Sequence, residues 1–175
     1  ETAVIDNPAL ALDVMEELTG ALRDVGGSGA LGVVLAANGP VFSAGHNFGD
    51  MAGADLEDPG WLDMFNGLTV PGIARRAMRV LEDVVRTINN LPQPVIGAIN
   101  GAAIGGGFCL AMATDIRVAA EKAYFRPAGI NNGLTSAELG LSYLLPRAIG
   151  TSRAFEIMLT GRDVDALEAA NLGIV

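Results

Sequence analysis

Short apolar runs alternate with amphipathic segments along the chain. Short apolar runs bounded by turn residues are typical of buried strands, whereas apolar residues three or four positions apart are typical of helices. The runs predict strands at residues 2–5, 31–37, 95–99, 102–104, 116–119 and 123–125, and the helical spacing predicts helices at residues 13–25, 73–89, 108–113, 136–145, 152–159 and 166–171. Because strands and helices alternate, we expect an α/β fold with a largely parallel sheet.

Individual residues also mark the ends of several predicted helices and strands. The run at 31–37 is entirely apolar, which favours a strand covered on both faces. Asp13 can cap the first helix, and Pro146 is expected to open a new turn. Asp165 with Glu168 resembles a capping box. Residues 48–63 show a loop-like pattern with helical patches.

A triple glycine, Gly105-Gly106-Gly107, falls between a predicted strand and a predicted helix. The first turn of a helix offers N–H groups without partners, which suit an anion or a developing oxyanion, and glycine lets a ligand approach them closely. Tight strand–helix packing explains the same glycines equally well. Leu110 and Phe108 stand where the dinucleotide and P-loop motifs need glycine and lysine, which excludes both motifs.

Composition narrows the class of protein. The 175 residues suit one domain, and a content of 50% apolar and 18% charged residues excludes disorder. A net charge of −9 argues against nucleic acid or an anionic membrane as a partner. The single cysteine, Cys109, suits a reducing compartment. Residues 1–10 do not resemble a signal peptide, so we expect a cytoplasmic protein without a membrane span.

A second glycine turn follows another buried strand, in Phe42-Ser-Ala-Gly45-His46. Parallel sheets bind ligands at the carboxyl ends of their strands, where both glycine turns are expected. Two backbone N–H groups that converge there would form an oxyanion hole. Such a hole stabilises charge on a carbonyl oxygen, and the loss of one donor typically costs roughly 3–4 kcal/mol.

Four segments together resemble the enoyl-CoA hydratase/isomerase (crotonase) superfamily over nearly the whole chain. They are FSAGHNFGDM, PVIGAINGAAIGGGFCLAMATDIRVA, GLTSAELGLSYLLPRAIGTSRAFEIMLTGR and DALEAANLGIV. The resemblance implies a crotonase-like spiral of ββα units with a largely parallel sheet, as a single domain over residues 1–175. It further implies C-terminal trimerisation helices beyond residue 175, a homotrimer or dimer of trimers, and an acyl-CoA thioester as substrate, with no cofactor besides the CoA of the substrate.

The resemblance also assigns roles to residues. It places the two oxyanion-hole amides on His46 and Gly106. The expected substrate-binding residues are Ala44, His46, Asn47, Phe48, Gly105, Gly106, Gly129 and Asn131. As the only histidine, His46 could instead act as a general base through its side chain, whereas the resemblance assigns it a backbone role. Asn132 is a further possible polar residue of the pocket.

The acid/base residues differ from those of typical hydratases. Hydratases of this family carry two glutamates, at positions that here hold Cys109 and Gly129. Hydration needs groups that activate water and protonate carbon, so the two-glutamate mechanism is not expected. Glu138 lies where related isomerases carry a catalytic aspartate, and it is either the acid/base or an ordinary exposed helix residue. Cys109 is either a nucleophile or, given its apolar neighbours, an inert core thiol.

The leading interpretation is an acyl-CoA enzyme that acts through a stabilised thioester enolate, as an isomerase or an atypical hydratase or lyase. An alternative is a member of the family that binds acyl-CoA without catalysis. A serine peptidase of the Clp type shares the fold but needs a serine–histidine pair. The position of His46 at the expected oxyanion hole argues against a peptidase.

Overall fold

The computed structural model describes residues 2–5, 9–46, 71–133 and 135–175. At a few of these residues, including Glu138, it describes only the main chain. The strands are β1 (Thr2–Ile5), β2 (Ala9–Leu10), β3 (Val33–Ala37), β4 (Gly45–His46), β5 (Val95–Ile99), β6 (Ala103–Ile104), β7 (Ile116–Ala119), β8 (Tyr124–Arg126) and β9 (Val164–Asp165). The helices are α1 (Leu12–Gly26), α2 (Pro71–Asn90), α3 (Gly106–Ala113), α4 (Leu141–Ile149), α5 (Thr151–Thr160) and α6 (Ala166–Leu172). Short 3-10 turns cover Ile130–Asn132 and Glu138–Gly140.

The strands form three sheets. The main sheet has four parallel strands in the order β1-β3-β5-β7, with Val33 opposite Val95 and Ile96 opposite Ile116. A second sheet pairs β2 with β4 in parallel, and a third has the order β6-β8-β9 with β9 antiparallel. The expected α/β fold with a mostly parallel sheet is confirmed.

Helices α1 and α2 pack together and contribute to the hydrophobic core beside the main sheet. Leu81, Val84, Val85 and Ile88 of α2 are buried among strand residues such as Leu35. The spacing of Leu81, Val85 and Ile88 confirms the helical pattern predicted for residues 73–89. None of the helices in the described ranges is long and apolar enough to cross a bilayer.

The predicted strand at 31–37 is too long at its start. Leu31 is 94% exposed, and β3 begins only at Val33. Val33 and Leu35 are fully buried, whereas Val34, Ala36 and Ala37 are partly exposed. The face with Val33 and Leu35 is therefore fully covered, whereas the face with Val34 and Ala36 is covered in part within the described residues.

Two helix boundaries also differ from the predictions. Helix α1 begins at Leu12 with Ala11 as its N-cap, so Asp13 lies in the first turn and does not cap the helix. Pro146 lies inside α4 and does not open a new turn. The Pro146 carbonyl still accepts the Gly150 N–H at 3.0 Å. Burial of Leu141 and Leu145 on α4 offsets the bond that proline cannot donate.

The start of α6 confirms the predicted cap. The Asp165 carboxylate accepts the Glu168 N–H at 2.8 Å. The Glu168 carboxylate pairs instead with Arg162, whose Nη2 lies 2.7 Å from Glu168 Oε1. The helix therefore begins where the capping pattern predicts, but the Glu168 side chain forms an ion pair with Arg162.

Candidate active site

The two glycine turns, which follow β3 and β5 of the main sheet along the chain, contact each other. The amide N–H groups of Phe42 and Ser43 both donate to the Ala102 carbonyl at 3.0 Å, and the Ile104 N–H donates to Ser43 O at 2.9 Å. The Asn100 side chain donates to the Gly39 carbonyl at 2.8 Å, which ties the loop after β5 to the loop after β3. These bonds join segments that lie far apart in the sequence.

Glycine is required where these turns approach one another most closely. Gly45 has φ of +83°, and a Cβ atom added to it would lie 2.6 Å from Ile104 O and 3.4 Å from Gly106 N. A Cβ atom at Gly107 would lie 2.6 Å from both Cβ and O of Ser43. A side chain at either position would therefore force the two turns apart.

Helix α3 begins at Gly106, two residues earlier than predicted, because Gly105 with φ of +54° turns the chain at its N-cap. All eight residues of α3 are buried. The His46 ring packs on the first residue of this helix, with Cε1 only 3.3 Å from the Cβ position of Gly106. The positive end of a buried helix thus lies beside the Gly45-His46 turn.

A cavity of about 70 Å³ opens between these turns and the segment that follows β8. Its lining residues are mostly small or apolar. They are Ala44, Gly45, His46, Gly105, Gly106, Cys109, Pro127, Ala128, Gly129, Asn132, Ser136 and Leu141. The cavity thus has one wall of glycine-rich main chain and another of loop side chains.

The structure brings together most of the residues singled out from the sequence. Ala44, His46, Gly105, Gly106 and Gly129 all line the cavity.

The remaining predicted residues lie elsewhere or outside the description. Asn131 is exposed and is not among the lining residues, because its Nδ2 donates to the Gly161 carbonyl at 3.2 Å. The neighbouring Asn132 lines the cavity in its place. Asn47 and Phe48 lie outside the described residues, and so does the Glu138 side chain. The Glu138 main chain lies between Ser136 and Leu141, which both line the cavity.

Ser136 is a cavity residue that sequence analysis missed. It is buried, its Oγ donates to the Pro127 carbonyl at 3.2 Å, and it accepts the Ile130 N–H at 3.3 Å. The hydroxyl therefore holds the loop that carries Ala128 and Gly129. A single serine in a loop has no sequence signal for this role, because both of its partners are main-chain groups.

The described lining contains no aspartate or glutamate side chain. Its titratable groups are the His46 imidazole and the thiol of Cys109, which is only 4% exposed. Cys109 and Gly129, the positions where the resemblance expects glutamates, both lie at the cavity. Within the described ranges, no cluster of three or more His, Cys, Asp or Glu side chains is placed to hold a metal ion.

Several described charged groups with shifted pKa values are structural in role. Burial lowers the pKa of Arg117, although nearby Asp115 opposes this shift, and the Arg117 guanidinium donates to the Thr114 and Ile174 carbonyls. The hydrogen bond to Asp163 raises the pKa of Arg126. Neither arginine lines the cavity.

Solved structures share this architecture. A crystal structure of a probable enoyl-CoA hydratase/isomerase from Mycobacterium abscessus matches with a TM-score of 0.83 and 50% identity, over 99% of this chain and 62% of that one. A monofunctional enoyl CoA isomerase from M. smegmatis matches with a TM-score of 0.76 and 46% identity, over 99% of this chain and 69% of that one. The chain therefore has the crotonase fold.

Sequence comparison identifies the family. The sequence pattern of the enoyl-CoA hydratase/isomerase family matches residues 4–175. A probable enoyl-CoA hydratase of Mycobacterium bovis, echA12, is 54% identical over 167 residues, which is 95% of this chain and 56% of that protein. The chain thus belongs to the enoyl-CoA hydratase/isomerase family, and it spans just over half the length of this curated relative.

Proposed function

We propose that this protein binds an acyl-CoA thioester and acts on it through an enolate stabilised by the amides of His46 and Gly106. The observation that carries the proposal is the meeting of two glycine turns at one cavity. The Cβ position of Gly45 lies 3.4 Å from Gly106 N, so the turn that carries the His46 amide lies against the start of α3. Family membership adds the chemical class of the ligand.

Two fixed amides suit this chemistry. When a proton leaves the carbon beside a thioester carbonyl, negative charge develops on the carbonyl oxygen. Backbone donors already directed at that oxygen stabilise the charge without reorganisation, and each donor is worth roughly 3–4 kcal/mol in a site that excludes water. The buried α3 adds the partial positive charge of its N-terminus.

Proton transfer in this proposal falls to Glu138. One carboxylate is enough to move a double bond. It removes a proton from the carbon beside the carbonyl, the electron pair moves toward the carbonyl oxygen, and the proton returns at the far end of the conjugated system. The absence of glutamate at Cys109 and Gly129 favours this isomerase-like reaction over two-glutamate hydration. The 46% identity to a protein described as a monofunctional enoyl CoA isomerase points the same way.

The same proposal assigns the residues that bind the acyl-CoA. Ala44, Gly105 and Gly129 would contact the acyl thioester, and Asn47 and Phe48 would extend the surface toward the CoA. The chemistry needs no cofactor besides the CoA of the substrate. The proposal includes a homotrimer or dimer of trimers, which sedimentation equilibrium would test, and a cytoplasmic location.

The decisive test removes one amide. Gly106 is the first residue of α3, a position where proline fits the helix backbone, so Gly106→Pro removes the N–H without breaking a hydrogen bond within the helix. We expect turnover of an enoyl-CoA to fall at least a hundredfold, or about 3 kcal/mol. Gly106→Ala is the matched control, since it adds a Cβ that meets Leu10 Cδ1 at 3.2 Å and His46 Cε1 at 3.3 Å but keeps the amide. Equal activity of the two variants would contradict the proposal.

A second candidate function is acyl-CoA binding without catalysis. It is favoured by the lack of any carboxylate among the described lining residues. Glu138→Gln separates the two functions. If Glu138 transfers the proton, kcat for isomerisation falls about a hundredfold while the Kd for acyl-CoA changes little. If the wild-type protein binds acyl-CoA without turnover, and the variant binds it equally well, the non-catalytic function is correct.

A further inference from the structure

Ser43 is a fully buried polar residue for which the proposed chemistry has no use. It lies between β3 and β4, two residues before Gly45 and three before the His46 amide. Burial of a hydroxyl is unfavourable unless the hydroxyl is hydrogen-bonded, so its placement calls for an explanation.

The main chain of Ser43 is bonded to the strand that leads into the second glycine turn. Its N–H donates to the Ala102 carbonyl at 3.0 Å, and its carbonyl accepts the Ile104 N–H at 2.9 Å. A parallel bridge pairs Ser43 with Ala103. Ser43 is therefore fixed relative to β6, which ends one residue before Gly105.

The side chain of Ser43 contacts both turns. Its Oγ accepts the Gly45 N–H at 3.2 Å, which closes a local turn just before the peptide that carries the His46 amide. On its other side it packs on α3, because the Cβ position of Gly107 lies 2.6 Å from Ser43 Cβ and 2.9 Å from Ser43 Oγ. One small side chain thus lies between the two turns.

We propose that Ser43 is a positioning residue that sets the spacing between the His46 and Gly106 amides. Its main chain fixes the strand before Gly106, and its hydroxyl orients the turn before His46. A side chain without an acceptor would leave the buried Gly45 N–H without its Oγ partner. This inference rests on the proposed function, because it assumes that the two amides share one oxygen.

The test compares Ser43→Ala with Thr19→Val. Thr19 is a second buried hydroxyl, which donates to the Met15 carbonyl at 2.7 Å inside α1, and it does not line the cavity. Both variants lose one buried hydroxyl and at least one hydrogen bond between that hydroxyl and the main chain. We expect both to lose stability in urea, but only Ser43→Ala to lower kcat for an enoyl-CoA, by about tenfold with KM within about threefold.

A second measurement follows the oxyanion directly. A 3-ketoacyl-CoA ionises to an enolate that absorbs in the near ultraviolet, and an oxyanion hole lowers the pKa of this bound ligand. We expect Ser43→Ala to raise the pKa of the bound 3-ketoacyl-CoA by about one unit relative to wild type. A rise of one unit corresponds to about a tenfold loss in the preference of the site for the enolate over the neutral ligand. We expect Thr19→Val to match wild type. If Ser43→Ala does not fold, Ser43→Cys, which retains a weak acceptor, should show a smaller rise.

The possible outcomes distinguish a failure of the proposed oxyanion hole from a failure of the proposed role of Ser43. If wild type leaves the pKa of the bound 3-ketoacyl-CoA unchanged, the oxyanion hole itself is wrong and the inference about Ser43 falls with it. If wild type lowers that pKa and the Ser43 variant lowers it equally, the proposed function stands and Ser43 is only a structural residue. An equal loss of kcat in Thr19→Val would also overturn the role of Ser43.

Discussion

The cavity and the C-terminal segment of this protein are held together by opposite means. At the cavity, main-chain groups and small residues approach one another closely, as where Gly107 meets Ser43. In the C-terminal segment, which covers residues 151–175, Arg162 joins α5 to α6 by pairing with both Glu156 and Glu168 at 2.7 Å. These three side chains remain 34–37% exposed. We infer that the site depends on shape, while the C-terminal segment depends in part on charge.

The difference has an energetic consequence. Close packing in a buried region leaves no room for relaxation, so one added carbon is costly. Partly exposed ion pairs are weakened by water and salt, and each contributes about 1 kcal/mol or less. Mutations of the closely packed glycines near the cavity should therefore have large effects, whereas mutations of the exposed ion pairs in the C-terminal segment should have small ones.

The largest effect is expected for Gly107→Ala. The new Cβ would lie 2.6 Å from Ser43 O and Cβ, which hydrogen bonds hold in place. We expect a loss of about 3 kcal/mol in the free energy of unfolding, measured by urea denaturation, and a fall in acyl-CoA turnover as the turns separate.

Gly20→Ala is the control for this variant. Gly20 lies exposed within α1, with no atom within 4 Å of its Cβ position. Alanine there should stabilise the protein by about 0.5–1 kcal/mol. If Gly107→Ala is as stable as wild type, the contact between Gly107 and Ser43 is not closely packed, and the contrast between the two regions is wrong.

Sequence analysis predicted the elements of this fold well because their signals are local. The apolar face of α2, the strand at 95–99 and the Asp165 cap each depend on residues a few positions apart. The contacts of Ser43 with Ile104 and Gly107 have no such signal, since they join residues far apart in the chain. The motifs indicated that both turns matter, while only the structure showed that they touch.

The two asparagines illustrate the same limit at the site. Successive residues of a 3-10 turn point about 120° apart, so Asn131 and Asn132 cannot share one environment. Asn132 lines the cavity, whereas Asn131 bonds to Gly161, which lies between α5 and α6 in the C-terminal segment. Tertiary packing decides which asparagine reaches the cavity.

A smaller effect is expected when Arg162 is replaced. Arg162→Met keeps an apolar stem of similar length but removes both ion pairs. We expect a loss of about 1 kcal/mol in the free energy of unfolding, a smaller loss in 1 M NaCl, and unchanged kcat. A loss as large as that of Gly107→Ala would show that charge supports this segment as strongly as packing supports the cavity.

Because of the same ion pairs, we expect the free energy of unfolding to depend on pH in the acid range. Hydrogen bonds from Arg162 lower the pKa of Glu156 and Glu168 below the ordinary value of 4.5. Because the folded pKa values are depressed, the stabilisation is complete above about pH 4.5 and is lost as the pH falls through the lower folded values. The difference in unfolding free energy between wild type and Arg162→Met should therefore shrink below pH 4.5. A constant difference down to pH 3 would contradict this origin.

The smallest effect is expected for Asp163→Asn, at the point where the two regions meet. The Asp163 carboxylate accepts from Arg126 Nη2 at 2.7 Å, and the Arg126 carbonyl accepts the Gly105 N–H at 2.8 Å. Because this ion pair is exposed, we expect a loss of at most about 0.5 kcal/mol in stability and no change in kcat. Glu82→Gln, which breaks the exposed pair with Arg86 on α2, is the matched control. A fall in kcat in Asp163→Asn alone would show that a surface charge reaches the oxyanion turn through the Arg126 main chain, and that the two regions are coupled.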